Sequence, residues 1–319
     1  MPVNLSRKDI QAIDAAKAYY GGLPQNEVAA RLGISRPTVS KLLRYARAKG
    51  YVKITVNDPR LADSSTAKAL ISRFGLEEAV VVYPSAPADI EVRKALGEAG
   101  ARMVEKVIKD GDTVGVSWSR TIEEISKNLT AQPRKKVEIV QLRGGVGGFA
   151  RGQSEIEAVN RFAEAFNAEA HLLGAPTVFQ SAEAKQAMMQ EKQVAAVLKR
   201  GRDSQVAVFT VGDAAKSSYL LSLPTLSRDV KLILEKKAVG DICSRFIDTH
   251  GRVCLPELND RTMAISLAQL RRIPEKIMVA GGGAKVAIIR VALEHGYANR
   301  LVIDAATAAQ VLDLSLIHI

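Results

Sequence analysis

Residues 29–43 read AARLGISRPTVSKLL, and this stretch decides the fold of the amino-terminal part of the chain. The pair Gly33-Ile34 predicts a tight turn between two helices, and Ser35 is placed to cap the second one. The apolar residues of that helix recur at helical spacing: Val39, Leu42, Leu43 and Ala46. Two helices joined by a short turn that contains glycine are typical of a helix-turn-helix.

The flanking residues extend this pattern to a winged module. Asp9–Tyr20 has the apolar spacing of a helix and is followed by two glycines. Leu23-Pro24 opens the short helix before the turn, with Pro24 in the first turn, where its missing N–H costs little. Gly50 ends the last helix, and residues 51–56 alternate like a short strand. We therefore predict a winged helix-turn-helix DNA-binding domain over residues 1–58.

Positive charge is concentrated in this module. Residues 1–58 hold ten Lys and Arg and four carboxylates, a net charge of +6 out of +11 for the whole chain. Between Ser35 and Asn57 there are six basic residues and no carboxylate. Self-repulsion within such a stripe is relieved by a phosphate backbone, although a solvated helix face has the same composition.

The helix after the turn would enter the major groove with its amino-terminal end. Arg36 and Lys41 have donors suited to guanine edges, and Arg44 and Arg47 lie further along, where they suit phosphates. The predicted DNA-binding residues are Gln25, Ser35, Arg36, Pro37, Thr38, Ser40, Lys41, Arg44 and Arg47. The alternative for this segment is a three-helix interaction module.

Length and composition limit the remaining possibilities. At 319 residues and 47% hydrophobic content, the chain predicts two domains with packed cores. No run approaches the roughly 18 apolar residues of a membrane span, and the first twenty residues lack the apolar block of a signal peptide. Two cysteines, Cys243 and Cys254, argue against a disulfide framework, so we expect a cytoplasmic protein.

From about residue 66 the sequence alternates apolar strands with helical segments. We predict a linker over 59–66, an effector-binding and oligomerisation domain over 67–314, and a tail of doubtful origin over 315–319. The predicted strands are 79–83, 113–117, 137–142, 206–211, 276–280 and 301–304. The predicted helices are 89–109, 121–129, 154–167, 182–199, 227–235, 285–294 and 305–312. This order favours a Rossmann-like α/β domain with a mainly parallel sheet covered on both faces.

Three strand-to-helix junctions are equipped for an anion. The first, Ser117–Thr121, is rich in hydroxyl groups. The second, Arg143-Gly144-Gly145, combines a guanidinium with two glycines, and the third, Gly281–Lys285, combines three glycines with a lysine. None matches a Walker or dinucleotide-binding motif, and glycines of this kind, taken singly, more often belong to ordinary turns. Parallel strands place such junctions at one edge of a sheet, where small ligands bind. Asp241, Asn259 and Asp260 could share sugar hydroxyl protons, although Asn and Asp also favour turns and caps.

The chain resembles the SorC-type transcriptional regulators over nearly its whole length. The motifs that carry the resemblance are RLGISRPTVSKLL (31–43), DGDTVGVSW (110–118), EIVQLRGG (138–145), AVGDICSRFID (238–248), NDRT (259–262) and VAGG (279–282). The resemblance implies a helix-turn-helix joined to a sugar-binding domain of the type shared with ribose-5-phosphate isomerase and glucosamine-6-phosphate deaminase. It also implies an oligomeric regulator whose effector is a phosphorylated sugar.

The resemblance places the effector pocket on four segments. The residues it assigns are Ser117, Trp118, Ser119, Arg120, Thr121, Arg143, Gly144, Gly145, Asn259, Asp260, Arg261, Gly282, Gly283 and Lys285. Asp241 completes the predicted set. In part of this family the position before the paired glycines is a lysine that forms a Schiff base with deoxyribose-5-phosphate. Arg143 stands there in this chain, and because a guanidinium stays protonated, it suits a bidentate contact to phosphate or carboxylate instead.

Taken together, the sequence predicts a DNA-binding repressor of carbohydrate or nucleoside catabolism that is controlled by a phosphorylated sugar and acts as a dimer or tetramer. A sugar-phosphate isomerase or deaminase with a fused DNA-binding module is the alternative. The four histidines show no catalytic or metal-ligand spacing, so we predict no catalytic residue, metal or cofactor. A constitutive architectural protein would leave the three equipped junctions unexplained.

Overall fold

The computed structural model describes residues 5–52, 65–145, 149–214 and 220–313, with residues 149–153 described by their backbone only. The chain divides into two compact units, Met1–Pro59 and Arg60–Ile319. Residues 53–56 of the predicted wing strand, residues 59–64 of the predicted linker and the tail 315–319 lie outside the described residues. Ser65 and Thr66, which the sequence placed in the linker, already belong to the first helix of the second unit.

The first unit contains the three predicted helices, α1 (Arg7–Tyr20), α2 (Gln25–Leu32) and α3 (Arg36–Ala48). The Ser35 hydroxyl accepts the Thr38 N–H at 3.3 Å and caps α3 as predicted. Gly33 ends α2 with φ of 65°, a left-handed conformation that favours glycine. Pro24 is the N-cap residue of α2 and not part of its first turn, because its ψ of 151° is extended.

Small residues form the core between these helices. Ala12 and Ala15 of α1 are buried against Val28, Val39 and Leu43. Ile10, which lies within the apolar spacing of α1, is nevertheless 49% exposed.

Asp9 links α1 to the end of the module. Its carboxylate accepts hydrogen bonds from the Tyr45 and Tyr51 hydroxyls at 2.9 and 2.8 Å, and its second oxygen accepts the Ser6 N–H. These bonds hold the pKa of Asp9 well below its ordinary value, the Ser6 side chain contributing most. A carboxylate in the basic module therefore binds its own scaffold and is not a free negative charge facing a nucleic acid.

The second unit is built on a seven-stranded sheet in which every described strand pair is parallel, as predicted. The strands are β1 (Glu78–Val82), β2 (Thr113–Val116), β3 (Glu138–Gln141), β4 (Glu169–His171), β5 (Val206–Phe209), β9 (Glu275–Val279) and β10 (Arg300–Asp304). Their order is β1-β10-β9-β5-β2-β3-β4. A small antiparallel sheet adds β6 (Val211–Asp213), β7 (Gly240–Ile242) and β8 (Arg245–Ile247).

Helices cover both faces of the main sheet. They are α4 (Ser65–Phe74), α5 (Asp89–Val107), α6 (Arg120–Asn128), α7 (Phe149–Phe166), α8 (Ala182–Gln190), α9 (Lys192–Arg202), α10 (Arg228–Lys237), α11 (Pro256–Asp260), α12 (Leu267–Arg272), α13 (Val286–Glu294) and α14 (Ala305–Leu312). Alternate residues of β5 face opposite layers: Val206 and Val208 pack in one apolar cluster, Ala207 and Phe209 in the other. This two-sided burial explains why the strands read as continuous apolar runs.

Two predicted elements are divided in the structure. The strand predicted over 206–211 breaks at Thr210, where the chain leaves the main sheet for β6. The helix predicted over 182–199 is two helices, because Glu191 is extended (φ −62°, ψ 127°). The sequence analysis missed α4, β4, β7, β8, α11 and α12, most of them too short to show a period. None of the described helices is long and apolar enough to cross a membrane.

Glycines bring α6 unusually close to α5. A Cβ placed on Gly97 would lie 2.6 Å from Glu124 Cβ and 2.9 Å from the Glu124 carbonyl carbon. At Gly100 it would lie 2.9 Å from Ile125. Since α6 begins at Arg120, this contact sets the position of the hydroxyl-rich turn before it.

We expect Gly97→Ala to lower the free energy of unfolding by about 1–3 kcal/mol, because the added methyl meets backbone that cannot rotate away. Urea unfolding of the purified chain checks this. Glu98→Ala, one residue along on the exposed side of α5, is the matched control and should change stability by less than about 0.5 kcal/mol. Equal stability of both variants would contradict the close packing of α5 and α6.

Candidate effector site and nucleic-acid interface

The three equipped junctions lie at one edge of the main sheet. In the strand order, β9, β5, β2 and β3 are consecutive neighbours, and all run in the same direction. Their carboxyl ends therefore lead into the segments after Val116, Gln141, Phe209 and Val279 along a single edge. Open α/β sheets bind ligands at this position. Residues 146–148, which follow the second junction, lie outside the described residues.

The junction after β2 is a helix cap. The Ser119 hydroxyl accepts the N–H groups of Thr121 and Ile122, both at 3.1 Å, so it occupies two of the free donors at the start of α6. Ser117 and Thr121 are buried, each with 3% of its surface exposed, whereas Arg120 is exposed. Of the predicted residues here, Arg120 is therefore the cation that faces solvent.

The junction after β9 is held by a carboxylate that the sequence analysis missed. Asp304 is buried at the start of α14, and its Oδ2 accepts the Gly282 N–H at 2.9 Å. The Thr307 hydroxyl accepts the same N–H at 2.8 Å. Gly282 has φ of 96°, which favours glycine, while a Cβ on Gly281 would lie 2.2 Å from Asp304. Gly283 is exposed with open space around its Cα, so it is the glycine that a ligand could approach.

Lys285 is the charged centre of this edge. Burial lowers the pKa of its ammonium, and the charges of Asp213, Asp241 and Asp89 oppose that shift, while Arg120 adds to it. The ammonium thus interacts with groups from β6, β7, α5 and the start of α6. Asp213 and Asp89 were not predicted, because they are far from Lys285 in sequence.

Asp241, in β7 of the small sheet, interacts with the charges of Arg143 and Lys285. Burial raises the pKa of its carboxyl to about 6, against the Ser244 N–H and the charges of Arg143 and Lys285, which lower it. Its Oδ2 accepts the Ser244 N–H at 2.8 Å, so the turn chemistry that was the alternative explanation for this residue is present. A carboxyl that is bonded on one oxygen keeps acceptor capacity on the other.

The turn that carries Asp241 is strained. Cys243 and Ser244, between β7 and β8, have φ of 48° and 68°, which is uncommon for residues with a Cβ. Burial raises the pKa of the Cys243 thiol to about 12, although a hydrogen bond with the Ser117 side chain lowers it. That bond connects the turn to the junction after β2.

Arg143 is buried and bonded to the protein itself. Its Nη1 donates to Gly144 O and Thr177 Oγ1, both at 3.0 Å. Its Nη2 donates to Trp118 O at 3.2 Å and to Glu155 Oε1 at 3.1 Å, and the two charged side chains are 5% and 3% exposed. Four of the five guanidinium N–H donors are thereby used within the chain. The predicted bidentate contact with a ligand is not available in this arrangement.

The paired glycines after Arg143 serve packing. A Cβ on Gly144 would lie 2.5 Å from Pro176 O and 2.6 Å from Ala175 O, and one on Gly145 would lie 3.2 Å from the Glu155 carboxylate. Both backbone N–H groups are bonded, to Met263 O and Ala175 O. At Gly144 the close approach that requires glycine is therefore an approach of backbone to backbone.

The segment around Asn259 surrounds a second buried arginine. Arg245 donates from Nε to Ile265 O at 2.7 Å and from Nη1 to Asn259 Oδ1. Arg261 donates from Nη1 to Phe179 O at 2.9 Å and to Thr225 O at 3.1 Å. Asp260 is exposed, and its carbonyl accepts the Lys185 ammonium at 2.7 Å. Asn259 and Arg261 thus brace α11, whereas the Asp260 carboxylate faces solvent.

A possible cation site exists elsewhere among the described residues but is already neutralised. Ligand atoms of Glu138, Glu169 and His171 lie within 4.8 Å of one another. The Arg200 guanidinium is 3.3 Å from Glu138 Oε2, so a metal ion would compete with a resident cation. We assign no metal ligand there.

On the first unit, α3 presents most of its predicted DNA-binding side chains to solvent. Arg36, Lys41 and Arg44 are exposed, as are Pro37 and Arg47. Ser35 and Thr38 are exposed as well, but their hydroxyls bond each other at 2.8 Å. Gln25 and Ser40 are half-buried. The Arg47 Nε donates to the Tyr20 hydroxyl at 2.8 Å, so one guanidinium edge is already used.

Comparison with known proteins matches each of the two units to a protein family. A family model described as "Putative sugar-binding domain" matches residues 59–313, and a MarR-family model matches residues 12–60. The chain is 40% identical to the deoxyribonucleoside regulator of Bacillus subtilis over 298 residues, 93% of this chain and 95% of that protein. Its structure is similar to the crystal structure of the full-length sorbitol operon regulator SorC from Klebsiella pneumoniae, with a TM-score of 0.75 and 28% sequence identity. The match covers 97% of this chain and 100% of that chain.

The chain belongs to the SorC family of sugar-binding transcriptional regulators. This confirms the predicted resemblance, the helix-turn-helix and the α/β class of the larger domain. A second relative, the uncharacterized transcriptional regulator YjhU of Escherichia coli, is 31% identical over 94% of this chain and 93% of its own length. The relatives are transcriptional regulators by name, so this SorC-family chain is a DNA-binding regulator with a sugar-binding domain.

The Arg143–Glu155 pair of this SorC-family chain predicts a stability effect. Arg143→Ala removes the guanidinium that is ion-paired with the buried Glu155 carboxylate, so we expect the free energy of unfolding to fall by about 3–5 kcal/mol. Arg143→Met combined with Glu155→Leu should recover most of that loss, since neither charge is then buried alone. Arg120→Ala, an exposed arginine nearby, is the control. Urea unfolding checks all three, and a double variant no more stable than Arg143→Ala would contradict the pairing.

Asp241 predicts a pH effect on stability. Because its folded pKa of about 6 is above its ordinary value of 3.8, the folded chain retains a proton that the unfolded chain has released. The resulting stability is fully present below about pH 4 and is lost as pH rises through about 6. Asp241→Asn lacks this titration, so its unfolding free energy relative to the unaltered chain should increase between pH 4 and 7. Urea unfolding across that range measures it, and a constant difference would contradict the raised pKa.

Proposed function

We propose that the carboxyl edge of the main sheet binds a phosphorylated sugar and that this binding controls the affinity of α3 for operator DNA. The observation that carries the proposal is the half-buried Lys285 at the start of α13, whose ammonium interacts with the charges of Asp213 and Asp241 at this edge. A half-buried cation can bind an anionic group, while the neighbouring carboxylates accept hydrogen bonds from hydroxyl groups. A phosphorylated sugar offers both kinds of group.

The first turn of α6 supports the same ligand class. Its helix has nine residues and begins with the exposed Arg120, and its positive dipole end lies at the same edge as Lys285. Ser119 already occupies two N–H donors, so we assign the phosphate to the charges of Arg120 and Lys285. Arg143 is assigned a positioning role, because it bonds Trp118 O and Gly144 O and thereby joins two junctions.

On the DNA side we assign Arg36 and Lys41 to base edges and Arg44 to phosphates. The remaining predicted contacts are Gln25, Ser35, Pro37, Thr38, Ser40 and Arg47. Ser35 and Thr38 cap α3 and can add phosphate contacts through the same hydroxyls. Regulation requires that the sugar have different affinities for the operator-bound and free states.

We further propose that the chain is a repressor of carbohydrate or nucleoside catabolism, acts in the cytoplasm as a dimer or tetramer, and turns over no substrate. Two-fold symmetric half-sites favour the even subunit number. An isomerase would need a free base beside the sugar. Asp241 and Asp304 are buried carboxyls at this edge, and each has an oxygen that already accepts a backbone N–H, from Ser244 and Gly282 respectively.

Single substitutions test the DNA interface. We expect Arg36→Ala and Lys41→Ala each to weaken binding to the cognate operator by about 1–3 kcal/mol and to relax base preference, because both remove direct base contacts. Arg44→Ala should weaken all duplexes alike and reduce the salt dependence by about one counterion. Fluorescence anisotropy on the upstream DNA of the gene measures these effects. Lys192→Ala in the second unit is the control, and unchanged affinity in both base-contact variants would contradict the assignment.

A ligand screen tests the effector class. Phosphorylated pentoses and hexoses, with the matching unphosphorylated sugars and inorganic phosphate, are added to the purified chain in a thermal-shift assay. We expect a phosphorylated sugar to raise the melting temperature and its unphosphorylated form not to do so. Lys285→Met should abolish that shift, whereas Lys231→Met on α10 should preserve it. A full shift in Lys285→Met would show that the site is misplaced.

A further inference from the structure

Five buried side-chain atoms in the described residues have no hydrogen-bond partner: Trp118 Nε1, His171 Nε2, Arg200 Nε, Thr210 Oγ1 and Thr225 Oγ1. Two of them are within 4 Å of a carboxylate, His171 at 3.5 Å and Arg200 at 3.3 Å from Glu138, so each has a polar group nearby. An uncompensated buried polar group costs about 1–3 kcal/mol, and native proteins retain few of them. The remaining three therefore require an explanation.

Trp118 and Thr210 follow two neighbouring strands of the main sheet, β2 and β5. Val116 of β2 is paired with Val208 of β5, and the Ser117 N–H donates to Val208 O at 3.0 Å. Trp118 and Thr210 each lie two residues beyond their member of this pair, at the carboxyl edge to which the three junctions belong. Thr210 is only 8% exposed, and its chain continues into β6, which carries Asp213. Asp213 in turn interacts with Lys285.

The surroundings of Trp118 explain why its N–H has no internal acceptor. Its ring packs in an apolar cluster with Leu220, Phe246 and Leu258, and the Arg143 guanidinium lies 5.6 Å from the ring centroid. Apolar neighbours and a cation offer no acceptor for an indole N–H, which can only donate. The described residues thus leave this N–H free to donate to a ligand oxygen.

Resting on the proposed function, we propose that the Thr210 hydroxyl and the Trp118 indole N–H bind the neutral oxygens of the sugar. The indole donates to a hydroxyl or carbonyl oxygen, and the threonine hydroxyl donates to or accepts from its neighbour. Lys285 and Arg120 then hold the anionic group of the same molecule. The site thus has a neutral half and a charged half, and inorganic phosphate can fill only the charged one.

Thr210→Val tests this assignment, because valine has nearly the shape of threonine and lacks the hydroxyl. Since the hydroxyl has no partner in the unliganded chain, we expect the melting temperature of the variant to be unchanged or higher. Its affinity for the sugar phosphate that binds best in the panel above should fall roughly 3- to 10-fold, the effect of one neutral hydrogen bond. Binding of inorganic phosphate should not change. A merely structural threonine would instead lose stability and keep its affinity.

Affinity can be followed at the site itself. Trp118 is the single tryptophan of the chain, so its fluorescence reports ligand beside the indole. Thr225→Val is the matched control: its hydroxyl is also buried and without a partner, but it belongs to the segment before α10. We expect this control to bind the sugar phosphate as the unaltered chain does.

The outcomes separate the two proposals. If the unaltered chain binds a sugar phosphate and Thr210→Val binds it equally well, the assignment of Thr210 is wrong and the effector class stands. An equal loss in Thr210→Val and Thr225→Val would also contradict the assignment. If the unaltered chain binds no phosphorylated sugar, the proposed function fails and this inference fails with it.

Discussion

The arrangement of the second unit depends on one constraint: parallel strands deliver all their carboxyl ends to the same edge. Four neighbouring strands, β9, β5, β2 and β3, bring together segments that are up to about 160 residues apart in sequence. Short motifs that are unremarkable singly thereby become one surface with two cations, several carboxylates and two unpartnered polar groups. Because the junctions are fixed by caps and by close glycine contacts, their spacing is set before any ligand arrives.

Buried charge has two separate uses in this unit. Arg143 and Arg245 donate to backbone carbonyls and to side chains at short hydrogen-bond distances, and they hold the junctions and α11 together. Lys285 instead interacts with carboxylates across space, and the pKa of its ammonium is lowered by burial. A guanidinium whose donors are bonded within the chain makes a site rigid. A cation that interacts with carboxylates only at longer range can bind the anionic group of a ligand instead. This difference is the reason for assigning the anion to Lys285 and a positioning role to Arg143.

The sequence predicted what local patterns encode. The helix-turn-helix, the parallel sheet and the shared edge follow from caps, turns and apolar periods, and the structure confirms them. The partners of Arg143 could not be predicted, because Glu155 and Thr177 reach it only through tertiary packing. The turn at Cys243 and Ser244 was missed for a different reason: both residues adopt positive φ without the glycine or asparagine that signals such turns. Thr210 carried no signal until its hydroxyl was found buried without a partner.

The central claim is that the carboxyl edge of the main sheet binds a metabolite and that this binding controls the DNA-binding module of the same chain. Hydrogen exchange of the full chain, followed by mass spectrometry with and without the sugar phosphate that binds, tests it most directly. The account predicts slower exchange in residues 117–122 and 281–286 on binding, with no change at the opposite edge around residues 109–112. Protection confined to the opposite edge, or none at either junction, would contradict it.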